Sequence, residues 1–269
     1  MGIKKVVVVS DLHCGSAVGL MPPSMLDTED TVGLSQNKVQ KWLWQCWEDF
    51  NNRWLPQVLA GDEYAVVING DLIDGVHHGT TQVVPDVVVQ AKIARHILTP
   101  LAFSAAATYV VRGTECHTRQ TETIIGEWIE AKRDPVSRSF AWDHLTLNVN
   151  DCPVSFSHHI TTAAKPWSES AALANHLVSE QFKAQNRGWK TPKVVVRSHR
   201  HVYGVFENGS GMIAVTPSWQ AMTRYAKAVT ADCVSTIGGI VLDFNGLPGE
   251  LPLVHRKLYT PKQSKAVQL

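Results

Sequence analysis

The chain has 269 residues, of which 44% are hydrophobic and 18% charged, and its formal net charge is +1. This length and apolar content can bury a large core, so we expect a single domain over residues 1–269. A net charge so close to zero excludes a strong field that would draw the whole molecule to nucleic acid or to an acidic membrane surface. Any contact with nucleic acid therefore has to be local.

The sequence predicts neither export nor membrane insertion. Its first residues enter a run of four valines without the apolar core and cleavage pattern of a signal peptide. No apolar run approaches the roughly 20 residues that a membrane-spanning helix needs. Five cysteines are an odd number, and none forms a Cys-x-x-Cys pair; they are Cys14, Cys46, Cys116, Cys152 and Cys233. We therefore expect no disulfide framework, no zinc knuckle and a cytoplasmic location.

The first half of the chain alternates predicted strands and helices. Short β-branched runs bounded by Gly, Asp, Asn or Pro predict buried strands at 6–9, 65–68 and 109–111. Apolar residues at helical spacing predict helices over 37–55, disturbed near Pro56, over 86–106 and over 121–131. Residues 14–36 predict a long loop. The alternation favours right-handed crossovers and a largely parallel sheet.

The second half is richer in predicted strands. Alternating residues on both sides of Asn150-Asp151 predict a hairpin between 145–149 and 154–156. A helix over 167–182 follows, and then strands at 194–197, 202–206, 212–215, 234–244 and 251–257. Residues 261–269 are polar and predict a tail. The expected fold is α/β, a sandwich of two sheets flanked by helices.

Polar clusters follow five of the predicted strands directly. They are Asp11-Leu12-His13, Gly70-Asp71, Gly113 to His117, Ser157-His158-His159 and Ser198 to His201. In open α/β sheets, ligands collect beyond the carboxyl ends of the strands, so residues distant in sequence can meet in one crevice. Carboxylate and imidazole are typical ligands of Mn, Fe, Zn or Ni, and the scarcity of cysteine argues against a structural zinc site.

The strongest ligand candidates exceed what one tetrahedral ion needs; they are Asp11, His13, Asp71, His158, His199 and His201. We expect two divalent ions, Mn first and Fe, Zn or Ni as alternatives, with Asp71 bridging them. Such a pair suits hydrolysis of a phosphate ester, in which hydroxide between the metals attacks phosphorus and a nearby imidazole protonates the departing oxygen. If the strand before them persists, His199 and His201 share one face.

Taken in order, these clusters resemble the calcineurin-like metallophosphoesterases over residues 6–205. The shared pieces are Asp-x-His, Gly-Asp-x-x-Asp at 70–74, a Gly-x-x-x-His loop at 113–117, a late strand-terminal His and a final His-x-His. The resemblance implies an αββα architecture in which Asp11, His13 and His201 bind one metal and His158 and His199 bind the other, with Asp71 bridging. It also implies that Asp74 supports the site from behind the ligands.

The third cluster departs from the family pattern. The family reads Gly-Asn-His followed by an acidic residue, whereas this chain reads Gly113-Thr114-Glu115-Cys116-His117. Variants with Gly-Thr and a displaced His occur among phage and prophage members. The resemblance implies that His117 contacts the phosphate or the leaving group. Thr114, by position, or Glu115, by chemistry, could replace the Asn ligand.

Several alternatives stay open at this point. The first expected substrate is a phosphodiester, such as a nucleotide or a nucleic-acid end, and the second is a phosphomonoester of a protein or small molecule. An inactive metal-binding scaffold is the alternative from another class, because the altered third cluster could have lost turnover. His77 and His78 could reach a phosphate, although exposed turn histidines are more usual. The basic stretch from Lys183 to Lys193 could contact a nucleic-acid backbone, but it favours a solvated helix end and linker.

Overall fold

A computed structural model describes residues 2–23, 35–77, 79, 81–118, 120–160, 168–223 and 235–261. Its strands are β1 Lys5–Val9, β2 Tyr64–Asn69, β3 Ala107–Val111, β4 Ala141–Trp142, β5 Leu145–Val149, β6 Cys152–Phe156, β7 Val194–Arg197, β8 Gly204–Asn208, β9 Gly211–Val215, β10 Ile237–Asp243 and β11 Leu253–Tyr259. Its α-helices are α1 Lys38–Asp49, α2 Leu55–Leu59, α3 Val87–Ser104, α4 Glu115–Thr118, α5 Thr121–Trp128 and α6 Glu169–Asn186.

The strands form two sheets. The first has the order β11-β10-β1-β2-β3-β4, in which β1 to β4 run parallel and β10 is antiparallel to both of its neighbours, β1 and β11. The second has the order β5-β6-β7-β9-β8, with β6, β7 and β9 parallel. Helices flank both sheets, so the predicted two-sheet α/β sandwich is confirmed. The carboxyl ends of β1, β2, β3, β6 and β7 are the five strand ends that precede the polar clusters.

The valines of β1 divide between two cores because successive side chains of a strand point to opposite faces. Val6 and Val8 pack between the two sheets, in the cluster that contains Phe156. Val7 and Val9 pack on the other face, with Trp47 and the helices that cover it. Each buried valine contributes about 1.5–3 kcal/mol relative to an exposed one. The layers are therefore helices, sheet, sheet and helix.

Helix α6 covers the outer face of the second sheet. Leu173 and Leu177 pack there against the buried strand residues Val195 and Ile213. At the same face the guanidinium of Arg197, 1% exposed, donates to Glu180 Oε2 over 2.7 Å and to His176 Nε2 over 3.1 Å. A buried ion pair thus joins β7 to α6.

The structure differs from several predicted boundaries. The helix predicted over 37–55 is longer in the structure: α1 begins at the Asn37 cap, widens into a π-helical turn over Phe50–Trp54 just before Pro56, and continues as α2 to Leu59. Pro56 lies in the first turn of α2, directly after the π-helical turn. The sequence did not predict α4 or β4, which are too short to carry a periodic pattern. The Asn150-Asp151 hairpin is confirmed.

Some predictions fall on residues outside those described. These are the middle of the 14–36 loop at 24–34, the start of the helix predicted over 167–182, the start of the strand predicted over 234–244, the tail at 262–269, His78 and Cys233. Within the described ranges, no helix combines the length and apolarity of a membrane span.

Candidate metal centre

The loops after β1 and β2 bring two pairs of candidate ligands to one sheet edge. The backbone N–H of Asp11 donates to Gly70 O over 2.9 Å, and that of His13 donates to Asp71 O over 3.0 Å. These bonds continue the parallel ladder of β1 and β2 past the ends of both strands. The side chains of Asp11, His13, Asp71 and Asp74 are consequently held side by side, and all four residues are buried.

The second sheet supplies the histidines. His158 follows β6, and its carbonyl accepts from Ser198 N over 2.9 Å, which ties the loop after β6 to the loop after β7. The condition for His199 and His201 to share one strand face is not met, because β7 ends at Arg197. Both histidines have left-handed backbone conformations, with φ of 71° and 56°. That bend sends their side chains to different ligand groups.

Backbone strain is concentrated at this centre. Asp11, His13 and Asp71 have φ values of 54°, 44° and 53°. With His199 and His201, five of the six candidate ligands therefore lie in the left-handed region. A non-glycine residue held there costs about 1–3 kcal/mol and persists only where the surroundings enforce it. The tightly bonded strand-end loops described above enforce it here.

The candidate ligands form two groups of three. Asp11, His13 and His201 make one group and Asp71, His158 and His199 the other, and within each group the ligand atoms lie within 4.8 Å of one another. Asp71 lies between the groups, since its Oδ2 is 3.0 Å from His158 Nε2 and 3.8 Å from His13 Nε2. All six candidates are therefore brought together, while their role as ligands stays a prediction.

The donor atoms fit divalent cations. Neither carboxylate oxygen of Asp11 accepts a hydrogen bond from the described residues, although the side chain is fully buried. The Nε2 atoms of His13 and His201 face each other at 3.2 Å, and His201 Nε2 lies 3.2 Å from Asp11 Oδ1. A buried carboxylate without hydrogen-bond donors is costly, and a cation held between these atoms would compensate it.

The charges of the centre are strongly coupled. Burial acts to raise the pKa of Asp71, but the charges of His158 and His13 and the bond to His158 outweigh it and hold that pKa well below its usual range. Burial acts to lower the pKa of His158, yet Asp71 and Asp11 raise it to about 10. In the metal-free chain an imidazolium thus balances the carboxylates. A bound cation would displace that proton, because histidine ligates in its neutral form.

Contacts at Nδ1 fix the ring orientation of His13 and His158. Asp74 Oδ1 lies 3.2 Å from His13 Nδ1 and also accepts from Gln220 Nε2 over 3.2 Å. His158 Nδ1 donates to Asn69 O over 2.8 Å. Both contacts leave Nε2 directed into the centre, which is how a supporting partner orients a metal-binding histidine.

The third cluster brings Thr114, and not Glu115, to the centre. The Thr114 N–H donates to Asp71 Oδ1 over 2.6 Å, and its Oγ1 lies 3.1 Å from Asp71 Oδ2 and 3.2 Å from His199 Nδ1. A Cβ atom on Gly113 would collide with the backbone N and Oδ1 of Asp71, so only glycine permits this approach. Glu115 is exposed and lines a neighbouring cavity.

His117 lies beside the first ligand group. Its Nδ1 donates to the Asp74 carbonyl over 2.7 Å, and its ring packs edge-on against His13 at 4.7 Å and His77 at 4.0 Å between centroids. Burial, aided by the charge of His13, lowers its pKa to about 4. His117 is therefore neutral near neutral pH, with its proton on Nδ1 and a lone pair on Nε2.

Sequence reasoning missed Glu122 on α5. Its two carboxylate oxygens accept from Gly113 N over 2.6 Å and from Leu72 N over 3.3 Å, which joins the loops after β2 and β3 behind Asp71. The side chain is fully buried, and burial together with the charge of Asp71 raises its pKa to about 7. An acidic residue in the first turn of a helix is common at solvated surfaces, so the sequence carried no signal for this role.

The centre opens to the surface on the side of the partly exposed histidines. A cavity of about 100 Å³ is lined by His13, Asp71, Asp74, His77, His117, His199, His201, Gln220 and Thr223. A larger cavity of about 760 Å³ adjoins the third cluster and is lined by Arg112, Gly113, Glu115, Gln120, Thr121, Ile124 and His159. The exposed His159 ring lies 4.9 Å from that of His199.

The basic stretch from Lys183 to Lys193 lies away from this centre. Its side chains Lys183, Lys190 and Lys193 bond surface acceptors at the far end of α6.

No model of a protein family matches the sequence, and no curated protein matches it significantly. Solved structures with a similar chain path include an archaeal phosphodiesterase, 11% identical, covering 95% of this chain and 99% of its own at a TM-score of 0.44. Vps29 from Entamoeba histolytica complexed with Zn²⁺ is 12% identical, covering 94% and 98% at a TM-score of 0.43. A predicted phosphoesterase from Streptococcus pneumoniae is 11% identical, covering 96% and 99% at a TM-score of 0.38.

Proposed function

We propose that this protein is a calcineurin-like metallophosphoesterase, a phosphoester hydrolase that depends on two divalent metal ions. The observation that carries the proposal is the position of the Asp71 carboxylate between two groups of ligand atoms, each with two buried residues and one partly exposed histidine. Two ions that share a carboxylate are the arrangement that many phosphate-ester hydrolases use. The buried carboxylate oxygens of Asp11, which lack hydrogen-bond partners among the described residues, also support a metal site.

The ligand roles follow from the two groups. Asp11, His13 and His201 would hold one ion, His158 and His199 the other, and Asp71 would touch both. We propose Mn²⁺ as the first candidate for these ions, with Fe, Zn or Ni as alternatives. When bound, such ions lower the pKa of a water molecule to near neutrality and neutralise charge on the phosphoryl oxygens. Asp74 contributes by holding the His13 ring with Nε2 inward.

His117 is placed to handle a proton through Nε2. Its Nδ1 proton is committed to the Asp74 carbonyl, and its lowered pKa keeps the ring neutral. Nε2 therefore first accepts a hydrogen bond from water or from a substrate hydroxyl. A proton that Nε2 takes from that water or hydroxyl can then pass to the departing oxygen, as in general acid catalysis.

We propose a phosphodiester as the preferred substrate, with a nucleotide or a nucleic-acid end as the first candidates. The cavity of about 760 Å³ beside Gly113 and His159 is within the range of small-molecule pockets, about 300–1,000 Å³. It offers Arg112, Gln120 and Ile124 to an organic group attached to the phosphate. A phosphodiester has a second organic group that can occupy this cavity while the first leaves, whereas a phosphomonoester has only the leaving group.

The test is hydrolysis of a chromogenic phosphodiester and a chromogenic phosphomonoester after chelation of bound metal and addition of Mn²⁺. We expect metal-dependent turnover of both, with the higher kcat/KM for the diester. Asp71→Asn should abolish it, and His117→Ala should reduce kcat by about 10²–10⁴-fold, the usual contribution of a positioned acid or base. Asp62→Asn is the matched control, because Asp62 is half-exposed and pairs with Lys5 before the start of β2.

Three outcomes decide between the alternatives. Absence of metal-dependent turnover from the intact chain, with tight metal binding retained, supports the scaffold alternative and rejects the enzyme. A higher kcat/KM for the monoester rejects the substrate preference alone. Full activity of His117→Ala rejects the role assigned to that residue.

A further inference from the structure

Three side chains beside the centre form a further cluster that belongs to neither ligand group. His77, Cys116 and His117 each offer one ligand atom, and these atoms lie within 4.8 Å of one another. His77 comes from the loop after Asp74, and the other two come from α4. Cys116 is exposed, whereas Cys14, Cys46 and Cys152 are buried.

Backbone packing holds the two parts of this cluster together. Gly75 has a φ of +66°, and a Cβ atom there would collide with the carbonyl oxygens of Cys116 and His117. The loop after Asp74 therefore lies directly against α4, at a distance that only glycine allows. The bond from His117 Nδ1 to the Asp74 carbonyl joins the same two segments. The rings of His77 and His117 are consequently fixed at 4.0 Å and 84° to each other.

The chemistry of the cluster differs from that of the main centre. One thiolate and two imidazoles are soft-to-borderline donors that favour Zn²⁺, whereas Mn²⁺ prefers oxygen ligands. His117 already has the arrangement of a metal-binding histidine, with one ring nitrogen donating to a backbone carbonyl and the other available. Binding would release the thiol proton of Cys116 to solvent as the metal–sulfur bond forms.

We propose that His77, Cys116 and His117 form a third cation site that takes a thiophilic divalent ion of the Zn²⁺ type in preference to Mn²⁺. Occupation engages Nε2 of His117 and so inhibits turnover while both ligand groups of the main centre stay loaded. This regulatory consequence rests on the proposed function, whereas the site itself does not. The expected behaviour is activation by Mn²⁺ and inhibition by added Zn²⁺.

The site is tested by Co²⁺ titration of the full chain saturated with Mn²⁺, followed by near-ultraviolet thiolate-to-cobalt charge-transfer absorption. We expect one equivalent of absorbing Co²⁺ in the wild type and none in Cys116→Ser. His77→Gln should weaken Co²⁺ binding by about 10–100-fold or more, since even the loss of a residue that only supports a ligand has a cost of that size. Cys14→Ala, the other cysteine beside the centre, is the matched control and should keep the band. A band that persists in Cys116→Ser, or no band in the wild type, overturns the site.

Inhibition is measured separately on the Mn²⁺-loaded enzyme. Zn²⁺ at about one equivalent per chain should suppress hydrolysis by the wild type and leave Cys116→Ser active, with unchanged basal activity. Equal inhibition of both proteins overturns the regulatory consequence. If the chain hydrolyses no phosphoester, the proposed function fails, but the cobalt band still decides whether the third site exists.

Discussion

Thr114 donates to both carboxylate oxygens of Asp71, from its backbone N–H to Oδ1 over 2.6 Å and from its hydroxyl to Oδ2 over 3.1 Å. The same hydroxyl lies 3.2 Å from His199 Nδ1. Thr114 thus occupies the position where the family resemblance implies an asparagine ligand, and it bonds the carboxylate that lies between the two ligand groups. Hydrogen bonds to a charged group contribute about 1.5–3 kcal/mol, so this side chain should matter for the metal centre.

Thr114→Val should weaken metal binding and turnover by about 10–100-fold, because the variant keeps the side-chain shape and loses the hydroxyl. Mn²⁺ titration followed by activity, together with calorimetric metal affinity, measures the loss. Thr114→Ser retains the hydroxyl and should stay near wild type.

Glu115→Gln discriminates the two replacements that the sequence left open. Glu115 is exposed, and its carboxylate is in none of the described ligand groups. Its substitution should leave Mn²⁺ affinity within a factor of about two, since surface changes usually fall within ±0.5 kcal/mol. A large loss in Glu115→Gln beside an active Thr114→Val would reverse the assignment.

Glu122→Gln should disturb the centre without touching a ligand. Glu122 accepts from Gly113 N and Leu72 N, one with each oxygen, and a glutamine can accept only one of these bonds. The other N–H would face an NH₂ group, and an unsatisfied buried donor costs about 1–3 kcal/mol. We expect a lower free energy of unfolding and reduced metal affinity.

Urea unfolding with and without Mn²⁺ measures both effects of Glu122→Gln. Glu127→Gln on the same helix is the control, because Glu127 is exposed. Unchanged stability in both variants would mean that the buried carboxylate does not hold the two loops together.

The fold followed from the sequence where the pattern was strong. The four valines of β1, the apolar helix α3 and the Asn150-Asp151 turn each carried a local signal that packing reinforced. The π-helical turn at Phe50–Trp54 was not predictable, because it inserts one residue into a helical pattern without changing its apolar face. Strand β4 has only Ala141 and Trp142 and owes its existence to pairing with β3.

The centre divides in a similar way. Candidate ligands could be named because polar residues directly after apolar strands must meet at one sheet edge. The orientation of His199 and His201 could not be predicted, because it depended on whether the strand continued past Arg197, and there the backbone of both histidines is left-handed instead. Glu122 and Gln220 act by accepting or donating bonds to loops and to Asp74, and such long-range partners have no spacing signature in the chain.

Divalent metal should stabilise the folded chain through Asp11. A cation at 100 times its dissociation constant adds about 2.7 kcal/mol to the free energy of unfolding. We expect Mn²⁺ to raise the Tm of the metal-free wild type and Asp11→Asn to remove most of that rise, because a neutral amide replaces a carboxylate without hydrogen-bond donors. Differential scanning fluorimetry measures this rise in Tm, with Asp62→Asn as the control. Equal shifts in the wild type and Asp11→Asn would exclude Asp11 as a ligand.

Acid sensitivity should arise in part from His176, away from the metal centre. Burial, together with the charge of Arg197, lowers the pKa of His176 from 6.5 to about 4. As pH falls through this window, the unfolded chain binds a proton that the folded chain refuses, so the free energy of unfolding decreases. The stabilisation is complete above pH 6.5 and is lost as pH approaches about 4.

His176→Gln tests this because a glutamine oxygen can still accept the bond from Arg197 Nε and does not titrate. The variant should lose less stability than the wild type between pH 6.5 and about 4, measured by urea unfolding of the metal-free protein. The loss should shrink and not vanish, because burial also lowers the pKa values of His117 and His199 to about 4. His96→Gln, at an exposed position on α3, is the matched control and should follow the wild-type curve. If the stability of His176→Gln and of the wild type falls equally with pH, the folded chain protonates His176 as readily as the unfolded chain does. The positive imidazolium would then lie against the buried guanidinium of Arg197.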